Sequence, residues 1–309
     1  MIRKDQLPNI WGDNLKCSAP PRSVEITPGT TPRKVVLFEE AYRHLFRFDT
    51  HDGYQLQPDY DNISILIREN AELELYRLQY MNRESVTQLD ITMEAGAKLN
   101  LCTITLNGEH VRNNIVVRMK GEHCQLEAGG LYLVDREQEC DNYIFVEHAY
   151  PNCVSHELYK GIVDDAARAR FNGHVLVQDG AVKTEAYMTN RNILLTDKAH
   201  VDTRPFLEIY NDDVKCSHGS TIGQLDKDAL FYLQSRGIPQ RTAMMMLSYA
   251  FCDEVIRLIN IPSLRDTIAD MVKKRLHGEI MPPCDECAIQ CSTPCNGPDA
   301  NFYIDPSKL

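Results

Sequence analysis

Two groups of residues in this sequence have types and spacings that could support chemistry. In the first group, Cys216 and His218 are separated by one serine, so on a β-strand both side chains would point to the same face. A thiolate beside an imidazole can act as a nucleophile with its base, or both groups can ligate a metal ion. Two small buried residues at a domain corner would have the same spacing. The residues alone leave these readings open.

The second group lies near the C-terminus, where four cysteines follow the pattern C-x2-C-x3-C-x3-C. Four thiolates this close in sequence could surround a tetrahedral zinc ion or an iron–sulfur cluster. The spacing is not that of a standard zinc finger or ferredoxin, so a tail with reactive thiols is the alternative. We expect metal to copurify with the protein and to be lost when the two central cysteines become serine. The four residues are Cys284, Cys287, Cys291 and Cys295.

Composition narrows the class of protein. The chain has 309 residues, 43% of them hydrophobic, and a formal net charge of -11, which argues against a nucleic-acid surface. No apolar run approaches the roughly 20 residues that span a membrane, and the first residues lack the apolar core of a signal peptide. Eleven cysteines in such a chain indicate a reducing compartment. We therefore predict a cytoplasmic protein that binds neither nucleic acid nor membrane.

The elements that must position these residues are mainly strands. From Ile63 to Val214 short hydrophobic runs alternate with polar residues, and turn-forming pairs separate them. A small residue opens four of these runs, with separations of 26, 27 and 29 residues. A strand-only repeat of this length is typical of one coil of a β-helix, and a sandwich or barrel with accidental spacing is the alternative. The four small residues are Ala71, Ala97, Cys124 and Cys153.

The remaining segments divide the chain into four parts. Residues 1–34 form a proline-rich lead-in, 35–222 the β-helix core, 223–279 a helical segment and 280–309 the cysteine-rich tail. Within the helical segment, Gly237 is predicted to end the first helix, and Pro239 and Pro262 to begin the second and third.

The run PFLEIYNDDVKCSHGSTIGQLDKDALFYLQSRGIPQRTAMMMLSYAF, from Pro205 to Phe251, resembles the SufB/SufD family. These proteins are scaffold subunits of the Suf iron–sulfur cluster assembly machine. A weaker resemblance extends back to about Ile63 and forward to about Gly278. The resemblance implies a right-handed parallel β-helix followed by helices, in agreement with the repeat.

Within that family the chain is similar to SufD-type subunits, which read C-S-H-G where this sequence has Cys216 to Gly219. SufB-type chains have H-E in place of His218 and Gly219, and their upstream cluster-building cysteine aligns with Asn190, which has no thiol. The resemblance implies that His218 lies at an interface with a SufB-like subunit and assists formation of a transient iron–sulfur cluster. We include Cys216 at the same interface.

The resemblance also implies partners. A SufC-like ABC ATPase would dock on the helices from about Asp226 to Leu276, and the end strands of the β-helix would pair with a SufB-like subunit or, in isolation, with a second copy of this chain. The sequence has no G-x-x-x-x-G-K-[ST] phosphate loop, so a partner would supply ATP hydrolysis and this chain would be a non-enzymatic scaffold. The short N-terminal lead-in and the cysteine tail depart from the family pattern.

Two other functions stay open at this stage. The chain could be a metal- or cluster-binding protein in its own right, with the cysteine tail as its centre. It could also be an enzyme acting on polysaccharide in a β-helix groove, for which the acidic pairs Asp164–Asp165 and Asp212–Asp213 are candidates. Surface acidic pairs are common, and the SufD-like run leaves little room for this third reading.

Overall fold

A computed structural model describes residues 20–39, 41 and 52–277 of the chain. In that part, fifteen strands precede three helices. The strands are β1 (Arg22–Ile26), β2 (Arg33–Phe38), β3 (Gln55–Pro58), β4 (Asn62–Ile67), β5 (Glu72–Tyr80), β6 (Glu84–Met93), β7 (Lys98–Asn107), β8 (His110–Met119), β9 (Gln125–Val134), β10 (Glu139–His148), β11 (Val154–Val163), β12 (Arg168–Val177), β13 (Glu185–Leu194), β14 (His200–Ile209) and β15 (Lys215–Gly223). The helices are α1 (Lys227–Ser235), α2 (Gln240–Ile256) and α3 (Pro262–His277).

The strands wind into a parallel β-helix, which confirms the predicted fold class. One sheet has the order β1-β4-β6-β8-β10-β12-β14 and the other the order β15-β13-β11-β9-β7-β5-β2-β3. Successive strands alternate between the two sheets from β4 onward, so each coil contributes one strand to each sheet. The strand pairs of both sheets are parallel. The β-helix begins before the predicted boundary at residue 35, because β1 pairs with β4.

The small residue that repeats in the sequence lies at a corner of each coil. At this corner one residue has a positive φ, which turns the chain, and the small residue that follows is buried. At some corners the small side chain also donates a hydrogen bond to a backbone carbonyl. The Cys124 thiol donates to the Gly121 carbonyl at 3.3 Å, and the Thr184 hydroxyl donates to the Ala181 carbonyl at 2.8 Å. The positive-φ residues are Asn70, Gly96, His123, Asn152 and Lys183.

Two large hydrophobic clusters account for most of the buried apolar residues that the structure describes. The first fills the lumen, the space between the two sheets, with inward-facing residues such as Ile91, Val117 and Phe171. The second lies on the outer face of the β15–β3 sheet, where Leu131 and Ile162 are among the strand residues that pack against α2 and α3. Burial of apolar surface on both faces of this sheet makes it the rigid support of the helices.

The helix boundaries follow the predicted signals. Gly237 has a φ of +83° just after α1, which is the left-handed conformation that glycine adopts at a helix end. Pro239 is the N-cap of α2, and Pro262 is the first residue of α3. Among the described residues, none of the helices is both long and apolar enough to cross a membrane.

Candidate functional site

The last coil, β14 and β15, forms the C-terminal end of the β-helix and is called the open end below. Within the described residues each of these strands pairs with a neighbour on one side only, β14 with β12 and β15 with β13. Their free edges carry unpaired backbone donors and acceptors, which readily pair with another strand. Large apolar side chains are exposed on or beside these strands, as the sheet continues no further. They are Phe206, Ile209, Tyr210 and Ile222.

Strand register shows where Cys216 and His218 point. Cys216 is in register with Ala186, and His218 is in register with Met188. Ala186 and Met188 are buried members of the lumen cluster, and residues in register on parallel strands share a face. Both side chains therefore face the lumen at its open end, and their shared face agrees with the spacing in the sequence. Cys216 is half-buried against the lumen cluster, and His218 is exposed.

The surroundings of Cys216 favour its thiol form over the thiolate. Burial raises its pKa, a hydrogen bond with the Ala186 backbone opposes that shift, and the Glu157 carboxyl adds to it. A thiol with a raised pKa is a poor nucleophile until a cation displaces its proton. Metal binding also requires the thiolate, so an ion that binds Cys216 must displace this proton.

Beneath the pair the lumen holds an unexpected acid. Glu157 on β11 is in register with Met188 on β13, so Glu157, Met188 and His218 form one inward column over three coils. Glu157 is only 2% exposed, and neither of its carboxyl oxygens has a hydrogen-bond partner. Burial raises its pKa to about 8, with the nearby Ser155 hydroxyl opposing the shift and Glu127 adding to it. At neutral pH this carboxyl is mostly protonated.

Asn190, which the sequence resemblance placed at the SufB-type cysteine, lies in the next inward column and is fully buried. Its amide donates to the Tyr132 hydroxyl at 3.1 Å, and its carbonyl accepts from Asn192 at 2.7 Å. The position is thus part of an internal hydrogen-bond network and offers no thiol.

The helices α2 and α3 are fixed to the β-helix by buried polar contacts. The Arg275 guanidinium on α3 donates to the Leu106 carbonyl and to the Asp135 carboxylate, each at 3.0 Å. The Lys160 ammonium on β11 donates to the Phe251 carbonyl on α2 at 3.0 Å. The Lys160 contact ties α2 to β11, the strand that carries Glu157, and the Arg275 contacts tie α3 to β7 and to the turn after β9.

Helix α1 differs from the other two because none of its residues is buried. Asp226 caps its first turn by accepting hydrogen bonds from two backbone amides. Phe231 is 72% exposed and Tyr232 57% exposed. A helix with exposed aromatic side chains offers an apolar surface beyond the core of the molecule.

The predicted tail site, Cys284 to Cys295, lies outside the described residues. In the part that the structure describes, no three His, Cys, Asp or Glu side chains are grouped so that they could hold a metal ion. All six cysteines there are free thiols.

The acidic pairs of the enzyme reading lie in or beside turns. Asp164 is buried and its carboxylate accepts the Asp165 amide at 2.8 Å, while Asp165 has a φ of +49°. The Asp213 carbonyl accepts the Lys183 amide of the preceding coil. These contacts indicate that Asp164, Asp165 and Asp213 stabilise turns.

The fold is a parallel β-helix with an open end, and comparison with known proteins identifies the family to which the chain belongs. Residues 29–251 match the family described as "SUF system FeS cluster assembly, SufBD core domain". The chain belongs to this family, and its SufD-type character agrees with its similarity to the proteins named SufD.

Three relatives illustrate the similarity. The iron–sulfur cluster assembly protein SufD of Escherichia coli is 37% identical over 217 residues, which cover 70% of this chain and 51% of that protein. A SufBD family protein of Synechocystis is 34% identical over 72% of this chain and 50% of its own length. Protein ABCI7, chloroplastic, of Arabidopsis thaliana is 31% identical over 80% of this chain and 53% of its own length. The chain spans about half the length of these curated relatives.

Sequence reasoning missed Glu157. The available signal was period 2: in VSHELYKGIV, Ser155, Glu157 and Tyr159 occupy alternate positions, so an acid shares the inward face with a tyrosine. Its place beneath His218 depends on register between strands that are distant in sequence, which one sequence does not reveal.

Proposed function

We propose that this chain is a SufD-type scaffold subunit in iron–sulfur cluster assembly. The observation that carries the proposal is the open end, where Cys216 and His218 face the lumen beside two free strand edges. A β-helix end of this kind is completed by the end strands of another chain, here a SufB-like subunit. Cys216 and His218 would then lie at the junction between the two chains.

The cluster is cargo in this proposal. A thiol and an imidazole are ligands that suit iron, and two such groups leave coordination positions for a partner and for sulfide. Cys216 and His218 would hold iron at the junction, and the cluster would leave after assembly. The chain would act as a scaffold, with ATP hydrolysis supplied by a partner.

A SufC-like ATPase would dock on the C-terminal helices. The exposed face of α1, with Phe231 and Tyr232, supplies the apolar contact surface. The buried contacts of Arg275 and Lys160 join the other helices firmly to the strands, so that movement of the docked ATPase would be passed to the open end.

The test is anaerobic purification of the chain with its SufB-like and SufC-like partners, with iron and acid-labile sulfide measured per complex. We expect His218→Ala to preserve complex formation and to lose most of the iron and sulfide. Unchanged iron and sulfide would contradict the role of His218.

A tail variant with Cys287 and Cys291 replaced by serine serves as the comparison. The C-x2-C-x3-C-x3-C spacing favours a second candidate function, a zinc or iron–sulfur site in the tail. Loss of metal in this variant alone, from the isolated chain as well as from the complex, would favour that second function. Size-exclusion chromatography of the isolated chain would show whether a second copy occupies the open end.

A further inference from the structure

Glu157 is the one buried acid that lies in the column beneath the proposed iron-binding pair. Strands of a sheet are about 4.8 Å apart, so the Glu157 backbone lies roughly 10 Å below that of His218, with Met188 between them. The thioether of Met188 lies against Gly173 on the opposite sheet, and so it crosses the lumen above Glu157. The acid is therefore separated from the open end by one apolar side chain.

No lysine or arginine faces Glu157 inside the lumen. The inward positions of β9, β11 and β13 carry no lysine or arginine, and those of β10, β12 and β14 on the opposite sheet carry none either. Glu127 on β9 acts on the Glu157 carboxyl, and that carboxyl in turn raises the pKa of Tyr159 on its own strand and of Cys216 on β15. On the opposite sheet, the inward titratable side chains of β10 are Cys140 and His148, and the His148 imidazole is hydrogen-bonded to Ser155 at 2.9 Å.

A purely structural role does not explain a carboxyl at this place. Glutamine has nearly the same shape and would avoid the cost of ionising in an apolar interior. What glutamate adds is a negative charge that appears only when a cation comes near enough to stabilise it.

We propose that Glu157 is the internal counter-charge for a divalent cation held at the open end by Cys216 and His218. When a divalent transition-metal ion such as Fe²⁺ binds there, the Cys216 thiol and the Glu157 carboxyl each release a proton to solvent. The thiolate ligates the ion, and the Glu157 carboxylate stabilises it electrostatically across Met188. The inference rests on the proposed function, because it takes Cys216 and His218 as the ligands.

The apolar lumen is what makes this coupling effective. Charges in a protein interior interact more strongly than charges at the same distance in water. Glu127 is a suitable control, since its side chain is on the outer face of β9 and is hydrogen-bonded to His156 at 2.5 Å. Glu127 is in register with His156, the residue before Glu157, but its side chain is in contact with solvent, which screens its charge.

The test uses the full chain with Cys284, Cys287, Cys291 and Cys295 replaced by serine, so that the tail binds no metal. This protein is titrated anaerobically with Co²⁺, which reports thiolate ligation by its charge-transfer absorption, and proton release is measured in weakly buffered solution near pH 7. We expect release of about two protons per ion. In the Glu157→Gln variant we expect about one proton, and an affinity about tenfold lower.

The Glu127→Gln variant should change the affinity and proton release far less than Glu157→Gln does, and His218→Ala should lose the cobalt absorption. Equal affinity and equal proton release in Glu157→Gln and its parent would overturn the inference, as would no Co²⁺ binding by the parent up to about 1 mM. The assembly assay separates this from the proposed function. If His218→Ala removes iron from the complex while Glu157→Gln leaves cobalt binding unchanged, the function stands and the inference falls. If cobalt binding depends on Glu157 but the complex assembles clusters without His218, the function falls.

Discussion

The interior coils and the last coil of this β-helix follow one repeat but have opposite surroundings. In β11 every inward side chain from Ser155 to Val163 is buried, with strands on both sides. In β15 no residue is buried, although its inward residues are in register with the lumen column. The difference arises from the missing neighbour rather than from a change of fold.

The helices repeat this contrast. Six residues of α3 are buried against the β-helix, including Arg275, whereas α1 buries none. Closed regions of this molecule are therefore held by packing and buried polar contacts, and the open regions carry the groups proposed to act on cargo and partners. Substitutions should affect stability in the first kind of region and assembly in the second.

The largest effect should come from breaking the contact between α3 and the β-helix. Arg275 and Asp135 are each 2% exposed, so Arg275→Ala would remove the buried cation of this carboxylate and leave it only the longer, 3.4 Å contact with the half-exposed Arg136. We expect the free energy of unfolding to fall by about 3–5 kcal/mol, measured by urea denaturation. Arg257→Ala on α2, which removes an exposed pair with Asp253, is the control and should change stability little. Equal losses in the two variants would show that α3 is not held by this buried contact.

The next effect depends on pH. Because the folded-state pKa of Glu157 is raised to about 8 from an ordinary value of 4.5, folding favours the protonated carboxyl. That stabilisation is complete below about pH 4.5 and is lost as pH rises through 8. Relative to Glu157→Gln, the chain should lose about 3 kcal/mol of stability between pH 5 and pH 8.

Urea denaturation of the two proteins at several pH values measures this difference. A stability gap that does not vary with pH would mean that Glu157 titrates as it does in the unfolded chain. The interior would then be far more polar at this position than its burial indicates.

A smaller effect separates two glycines on strands of the same sheet. A Cβ on Gly161 would overlap the Tyr132 ring and crowd the Asn192 side chain, while a Cβ on Gly219 would meet nothing within 4 Å. Gly161→Ala should destabilise the chain by about 1–3 kcal/mol, and Gly219→Ala should leave its stability nearly unchanged. Thermal unfolding followed by circular dichroism would measure both. A large loss from Gly219→Ala would contradict the view that the open end is unpacked in the isolated chain.

Much of this fold was predictable because its signals are local. The length of one coil was predicted from the spacing of the small residues, because each corner needs a small residue after its turn. These residues are Ala71, Ala97, Cys124 and Cys153. Strand β1 was missed because five residues between proline-rich stretches have too little alternation to stand out. Glu157 was missed because its significance depends on the stacking of β11, β13 and β15. The exposure of α1 was missed because periodicity alone does not show what covers a helix.

The smallest effect on stability should accompany a large effect on association. Phe231→Ser on α1 replaces a side chain that is already 72% exposed, so the free energy of unfolding should change by less than about 0.5 kcal/mol. If α1 docks the ATPase, the same variant should lose most of its copurification with the SufC-like partner while still pairing with the SufB-like subunit, because Phe231 belongs to α1 and not to β14 or β15. Met246→Ser, at an exposed position of α2, shows whether the docking surface extends to the second helix. Retention of the ATPase by the Phe231 variant would move the docking surface away from α1, and the exposure of its aromatic side chains would then need another partner.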